Sequence, residues 1–263
     1  MSEIPVIMGI LNITPDSFSD GDKFLNIDCA IRHADFMIES GAEIIDIGGE
    51  STRPGAKAVD VQIEISRVIP VIERLKGKCK ISIDTYNSQT ALKAVKAGAE
   101  VINDITALQY DPMMVKVLKD NIDIKIVLMH KKGNPADMQN NPKYDDLMEE
   151  IMSFFKERID FCNKNGIKED RIIIDPGIGF GKDFGHNITL LKNIEALKVF
   201  GLPILLGASR KSFINQIYPS SPEDRLMGSL ATTALALIKK IDYIRVHDVQ
   251  QHCQFIKSLT RML

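Results

Sequence analysis

Three short acceptor side chains in this 263-residue chain each come directly after a run of β-branched residues. Asp84 follows Ile81-Ser82-Ile83, Asn103 follows Val101-Ile102, and Asp175 follows Ile172-Ile173-Ile174. Any one of them alone reads as the cap of a following helix, a position that Asp and Asn favour. All three together resist that reading, because several desolvated acceptors converging without donors would be costly. Three convergent acceptors suit a donor-rich ligand, such as a ring with an exocyclic amine beside a ring N–H. A carboxylate meets that edge with two hydrogen bonds, as it meets guanidinium. A second set is cationic: Arg53, Arg210, Lys211, Arg245 and His247 all fall at or just after the ends of apolar runs. A lone Arg or Lys is ordinarily a solvated surface charge, but Arg245 lies inside the apolar stretch Tyr243 to Val246. Such a cluster suits an anionic leaving group, phosphate or pyrophosphate, accompanied by Mg²⁺.

The elements that must position these groups show in the hydropathy pattern. Eight short apolar runs recur along the chain: Val6 to Leu11, Ile44 to Ile47, Ile81 to Ile83, Val101-Ile102, Ile126 to Met129, Ile172 to Ile174, Ile204 to Leu206 and Tyr243 to Val246. Nearly all stop at a polar residue, including Asn12 after the first and His130 after the fifth. Segments with helical spacing lie between them. Asp28 to Ser40 places Ile31, Ala34 and Ile38 on one face and closes at Gly41, where a left-handed cap belongs. Ser40-Gly41-Ala42-Glu43-Ile44-Ile45 is echoed by Ala97-Gly98-Ala99-Glu100-Val101-Ile102 after a helix from Ser88 to Lys96. Further helices are expected from Tyr144 to Asn165, stopped by Gly166, and from Val249 to Met262, packed on its Phe255, Ile256 and Leu259 side. Strict alternation of eight such units predicts an α/β fold, a (β/α)8 TIM barrel forming a single domain over residues 1–263, close to the roughly 250 residues usual for it. Three long, turn-rich loops, Ile13 to Asn26, Gly48 to Asp60 and Lys131 to Lys143, all follow strands. They would rise from the C-terminal rim, where functional loops belong.

Composition excludes several classes. A net charge of −2 gives no support for nucleic-acid binding or a basic membrane surface, so attraction for an anion must be local. Hydrophobic content of 44% and charged content of 26% are ordinary for a soluble globular protein, and no stretch approaches a membrane span. The N-terminus lacks the pattern of a signal peptide. Cys29, Cys79, Cys162 and Cys253 are scattered without zinc spacing, which suits reduced, mostly buried thiols in a cytoplasmic protein. Gly177-Ile178-Gly179-Phe180-Gly181-Lys182-Asp183 resembles a phosphate loop, but its glycines are too close and Asp183 stands where Ser or Thr is needed. Ser209 has no nucleophile elbow. His33, His186 and His252 read as surface or packing residues, and Met8, Met113, Met114 and Met129 as core or pocket wall. Lys211, flanked by cations, suits a Schiff-base lysine on physical grounds alone.

The order of motifs resembles a known family. Leu11-Asn12-Ile13-Thr14-Pro15-Asp16-Ser17-Phe18-Ser19-Asp20-Gly21 and Asp46-Ile47-Gly48-Gly49-Glu50-Ser51-Thr52-Arg53-Pro54-Gly55-Ala56 are similar to the two signatures of dihydropteroate synthases. The likeness continues through Ile83-Asp84-Thr85, Ile102-Asn103-Asp104-Ile105, Leu128-Met129-His130, Asp175-Pro176-Gly177, Gly207-Ala208-Ser209-Arg210-Lys211-Ser212 and Arg245-Val246-His247-Asp248-Val249. It departs at Ile178, where many members have an aromatic, and at Lys131-Lys132. The resemblance implies condensation of 6-hydroxymethyl-7,8-dihydropterin diphosphate with 4-aminobenzoate, releasing pyrophosphate. It places the pterin on Asp84, Asn103, Asp175 and Lys211, between Ile105, Met129 and Phe180, with Gly207 and Arg245 also at the ring. It implies diphosphate binding by Asn12, Arg53, Arg245 and His247, Mg²⁺ on Asn12, and an aminobenzoate site at Thr52, Arg53, Pro54, Phe180, Lys211 and Ser212. Asp84, Asp175, Lys211, Arg245 and His247 would carry the catalysis, sulfonamides would compete, and a homodimer is expected. Two rivals share the pterin pocket: a barrel methyltransferase binding methyltetrahydrofolate, disfavoured by Ser209-Arg210-Lys211, and a non-catalytic pterin-binding paralogue, disfavoured by the complete anion set.

Overall fold

The structure is a computed structural model, described over residues 4–14, 23–50, 59–133, 138 and 142–262. Eight strands alternate with helices: β1 Val6–Asn12, β2 Ile44–Gly48, β3 Lys80–Asp84, β4 Val101–Asp104, β5 Lys125–Met129, β6 Ile172–Asp175, β7 Leu205–Leu206 and β8 Tyr243–Val246. The helices are α1 Lys23–Glu39, α2 Val61–Leu75, α3 Ser88–Ala97, α4 Met113–Asp120, α5 Leu147–Lys164, α6 Phe184–Asn193, α7 Phe213–Ile217, α8 Leu226–Ile238 and α9 Val249–Met262. All strand pairs are parallel, in the order β6-β5-β4-β3-β2-β1-β8-β7. An Ile174–Ile204 bridge and the Ile174 N–H to the Pro203 carbonyl (2.9 Å) link β6 to β7 and close the ring. It is the single-domain TIM barrel expected.

Each apolar run becomes a strand because β-branched residues fit a surface buried on both faces. Each helix ends where the sequence stops supporting it. Gly41 and Gly98 take φ of +109° and +129°, and the Gly98 N–H returns to the carbonyls of Ala94 and Val95. Asp60 starts α2 by accepting the N–H of Gln62 (2.8 Å), and Asp183 and His186 form a reciprocal capping box at the start of α6.

Three local expectations need correction. The first helix starts at Lys23, before the expected Asp28. On α9 the buried side is Val249, His252, Cys253 and Ile256, with Phe255 and Leu259 only at its margins, because the apolar stripe follows the 3.6-residue period from Val249. Met114 is buried, but Met113 is 55% exposed, one helical position round from the core face of α4.

Period two inside the barrel decides where the chemistry goes. Met8, Ile44, Val101, Val127, Ile173 and Leu205 pack together as one apolar layer, joined by Val6 and Tyr243. Two residues further along the same strands come Ile10, Asp46, Asn103, Met129, Asp175, Gly207 and Arg245. The interior therefore changes from hydrocarbon to polar within one repeat, at the C-terminal mouth.

Candidate active site

Within that mouth, the side chains from distant strands bind one another. Arg245 donates from Nη2 to Asp84 Oδ2 (2.7 Å) and from Nε to Asp46 Oδ2 (2.5 Å). The same Asp46 oxygen accepts the Asn103 side-chain N–H (3.0 Å). One network thus joins β8, β3, β2 and β4. Asp175 accepts the Gly177 N–H (2.8 Å) and lies against Gly207, where a Cβ would sit 3.5 Å from its Oδ2. Lys211 Nζ lies 4.1 Å over the Phe180 ring and acts electrostatically on both Asp84 and Asp175. Ile105, Met129, Phe180 and Met138 form a separate apolar cluster, edged by Tyr86, that makes a wall for a flat ligand.

A cavity of about 370 Å³ opens here, a volume in the range of small-molecule sites. Of the expected residues, Asn12, Asp84, Phe180, Gly207, Lys211, Ser212, Arg245 and His247 line it. Asn103 and Asp175 are not among its lining residues: Asn103 is linked through Asp46 to Arg245, which is, and Asp175 lies against Gly207, which is. Thr52, Arg53 and Pro54, with most of the first two long loops, lie outside the described residues. A second cavity, of about 400 Å³, sits at the opposite mouth among Glu43, Lys78, Lys80, Glu100, Asp123 and Lys125. It mixes acidic and basic side chains at the N-terminal ends of the strands, whereas working sites of barrels sit at the C-terminal end.

Burial sets the protonation of the mouth. It raises Asp84 above the usual carboxylate range, against the Arg245 guanidinium, and raises Asp175 against the Gly177 N–H. Burial also works against the charge on Arg245, but Asp46 and Asp84 more than reverse it, so the guanidinium is held charged.

His247 departs from expectation. Burial, reinforced by Arg245 and Arg210, pushes it down to about 3, so it is neutral and is not one of the cations. Ser209 Oγ accepts the His247 backbone N–H (3.2 Å) and meets its Nδ1 at 3.0 Å. The hydroxyl can either donate to Nδ1 or accept from it, so both neutral tautomers of the ring satisfy this contact. Arg210 is likewise no free cation: it binds Asp248 through Nε (3.0 Å) and Nη2 (2.5 Å).

Four further contributors were not read from the sequence: Asp46, Ser209, Met138 and Lys182. Lys182 is 1% exposed, with Nζ on His130 Nδ1 (2.9 Å), the Gly177 carbonyl (3.0 Å) and the Phe180 carbonyl (3.1 Å). Burial pushes it down to about 7, while burial and Lys182 push His130 down to about 2. The loop that failed as a phosphate loop is thus folded round its own lysine. His130 packs edge-on to Phe154 of α5 and is not among the cavity residues. Of the residues that depart from the family pattern, Lys132 is tied to Glu150 (2.7 Å) and lies over Tyr144, and Ile178 is fully buried.

Among the described residues, no three His, Cys, Asp or Glu side chains cluster to hold a metal. The Asn12 side-chain oxygen stands beside Gly48 and Asp84 in the same cavity as Arg245 and His247. One hard oxygen next to an anion site fits Mg²⁺, which takes one or two protein ligands beside substrate phosphates.

The chain is a parallel barrel whose C-terminal mouth sets buried carboxylates beside Arg245, and residues 8–247 match the family of pterin binding enzymes. The chain is 45% identical to the dihydropteroate synthase of Escherichia coli (strain K12) over 261 residues, covering 98% of this chain and 92% of that one. Its fold matches a Clostridium difficile dihydropteroate synthase solved in the presence of pteroic acid, with a TM-score of 0.91, 45% identity, and coverage of 98% of this chain and 97% of that one. It also matches Xanthomonas albilineans dihydropteroate synthase with 4-aminobenzoic acid, at TM-score 0.92 and 41% identity over 98% of this chain and 93% of that one. The chain belongs to the dihydropteroate synthase family.

Proposed function

We propose that this chain condenses 6-hydroxymethyl-7,8-dihydropterin diphosphate with 4-aminobenzoate to give 7,8-dihydropteroate and pyrophosphate, a step of folate synthesis. The observation that carries this is the division of one mouth: the Asp84 and Asp175 carboxylates accept hydrogen bonds beside Asn103, while Arg245, Lys211 and His247 line the cavity next to them. The aminopyrimidinone edge of the ring meets the three acceptors, and Lys211 meets its carbonyl side. Ile105, Met129 and Phe180 hold the ring flat, and Gly207 leaves room for it. Arg245, His247, Asn12 and Arg53 take the diphosphate. Thr52, Arg53, Pro54, Phe180, Lys211 and Ser212 border the aminobenzoate, where sulfonamides compete.

No nucleophile from the protein is needed. The carbon–oxygen bond at the ring methylene breaks, and pyrophosphate leaves with the electron pair toward Arg245 and His247. Asp84 and Asp175 stabilise the positive charge left on the ring, which is electrostatic preorganisation. The aniline nitrogen then forms the new bond and releases its proton to solvent. Asn12, together with the diphosphate, would hold Mg²⁺, which would supply neutralisation of the charge on the leaving group.

The protein works as a cytoplasmic homodimer in this proposal. Among the described residues no helix is long and apolar enough to cross a membrane. Helix α8 has no charged residue and exposes Met227 and Ile238, an apolar face suited to a second copy. The test is to incubate the purified protein with the pterin diphosphate, Mg²⁺ and labelled 4-aminobenzoate. Labelled dihydropteroate with equal pyrophosphate is expected; ring binding without product would overturn the proposal in favour of a binding paralogue.

A further inference from the structure

The Asn103 amide has one accepting end and one donating end, and only the first serves a ring edge made of N–H groups. In β2, Asp46 is fully buried, and its Oδ2 receives both Arg245 Nε (2.5 Å) and the Asn103 side-chain nitrogen (3.0 Å). A carboxylate accepts and does not donate, so the end of Asn103 that faces it must be the NH₂, however the amide is drawn. The carbonyl is then the end left for the mouth. We infer that Asp46, which touches no substrate, is a specificity-determining positioning residue that makes Asn103 an acceptor. The inference deepens the proposed function and rests on the mouth being the ring site.

The bland alternative is that Asp46 serves only as a buried counter-charge for Arg245. The two differ in what a substitution does. Both donors fall on one oxygen, so Asp46→Asn keeps an oxygen able to serve them, whereas Asp46→Leu keeps the volume and removes the acceptor. With no acceptor at 46, the Asn103 amide is free to turn its NH₂ to the ligand.

The test compares 6-hydroxymethylpterin with 6-hydroxymethyllumazine, in which a carbonyl replaces the 2-amino donor, by calorimetric titration of the full chain. The unsubstituted protein is expected to prefer the pterin. Asp46→Asn should keep that preference, and Asp46→Leu should reduce it by roughly 10-fold or more, as expected where a site built for a hydrogen bond loses it. An unchanged preference in Asp46→Leu, or an equal loss in Asp46→Asn, overturns the inference. Should Asp46→Leu fail to fold, the unsubstituted chain decides: the Asn103 side-chain NH₂ should be protected from hydrogen exchange with and without pterin, and rapid exchange in the free protein overturns it. If the unsubstituted chain binds neither ring while its Asn103 NH₂ is protected, it is the proposed function that fails, not the orientation of the amide.

Discussion

Arg245 and Asp84 meet across the barrel mouth, Nη2 to Oδ2 at 2.7 Å, although one stands on β8 and the other on β3. The pair joins the two halves of the proposed reaction. Arg245 belongs to the side that takes the leaving anion, and Asp84 to the side that must steady the ring. The Asp46 carboxylate beneath Arg245 gives the guanidinium a fixed seat, so it need not reorganise as the charge shifts.

Asp84→Asn keeps the shape and removes the charge. It should lower kcat by roughly 10²- to 10³-fold, the usual scale for losing one preorganised electrostatic partner, with a smaller change in KM. Steady-state kinetics with varied pterin diphosphate check this. A raised KM with unchanged kcat would sink the charge role.

The same carboxylates set the acid limb of the pH profile. Burial raises both Asp84 and Asp175, and each must be ionised to accept from the ring. The kcat/KM for the pterin substrate should therefore fall as pH is lowered through an inflection well above the ordinary carboxylate value of about 4. An inflection at that ordinary value would contradict the buried setting of the pair.

Gly177 tests the loop behind the ring. Its φ is +68°, and a Cβ there would lie 2.0 Å from the His130 carbonyl oxygen, so no side chain fits without moving the backbone. Gly177 also donates to Asp175 and gives its carbonyl to Lys182. Gly177→Ala should weaken binding of 6-hydroxymethylpterin by about 100-fold, or about 3 kcal/mol, as Asp175 loses its seat. Titration of the ring checks this, and affinity within a few-fold of the unsubstituted protein would show the loop to be softer than drawn.

Legibility in the sequence followed position along the strand. Asp84, Asn103 and Asp175 could be found because each ends an apolar run, and the barrel because Gly41 and Gly98 repeat one junction. Asp46 was hidden inside its run, flanked by Ile45 and Ile47, where it reads as part of a strand. Arg245 is placed the same way and was noticed, so a charge within an apolar run was the available signal. Lys182 gave no such signal. Its acceptors are backbone carbonyls, which any sequence supplies, and only the folded loop brings them together. The neutral state of His247 was likewise invisible, because it depends on burial and on cations from other segments.

Acid stability follows from three buried histidines. Burial pushes His130 down to about 2, His247 to about 3 and His252 to about 4. In the unfolded chain a histidine protonates near 6.5. The unfolded state therefore binds protons that the native state refuses, so the stability these groups give is present above about pH 6.5 and lost as pH falls toward their folded values. Each contributes about 1.4 kcal/mol per pH unit within that window. The raised Asp84 and Asp175 work in the opposite sense, so the histidine share is read by difference: in urea unfolding from pH 8 to pH 4, His252→Gln should remove about one histidine's share of the slope. A profile unchanged by His252→Gln would mean that this imidazole titrates alike in both states.

Breaking of the methylene carbon–oxygen bond before the amine attacks is the most exposed consequence of an acceptor side facing an anion side. The secondary isotope effect on single-turnover bond cleavage, with both methylene hydrogens replaced by deuterium, reads it directly. A large normal effect, from a carbon that has become trigonal and cationic, is predicted. An effect near unity, showing the amine bonding as the pyrophosphate leaves, would contradict it.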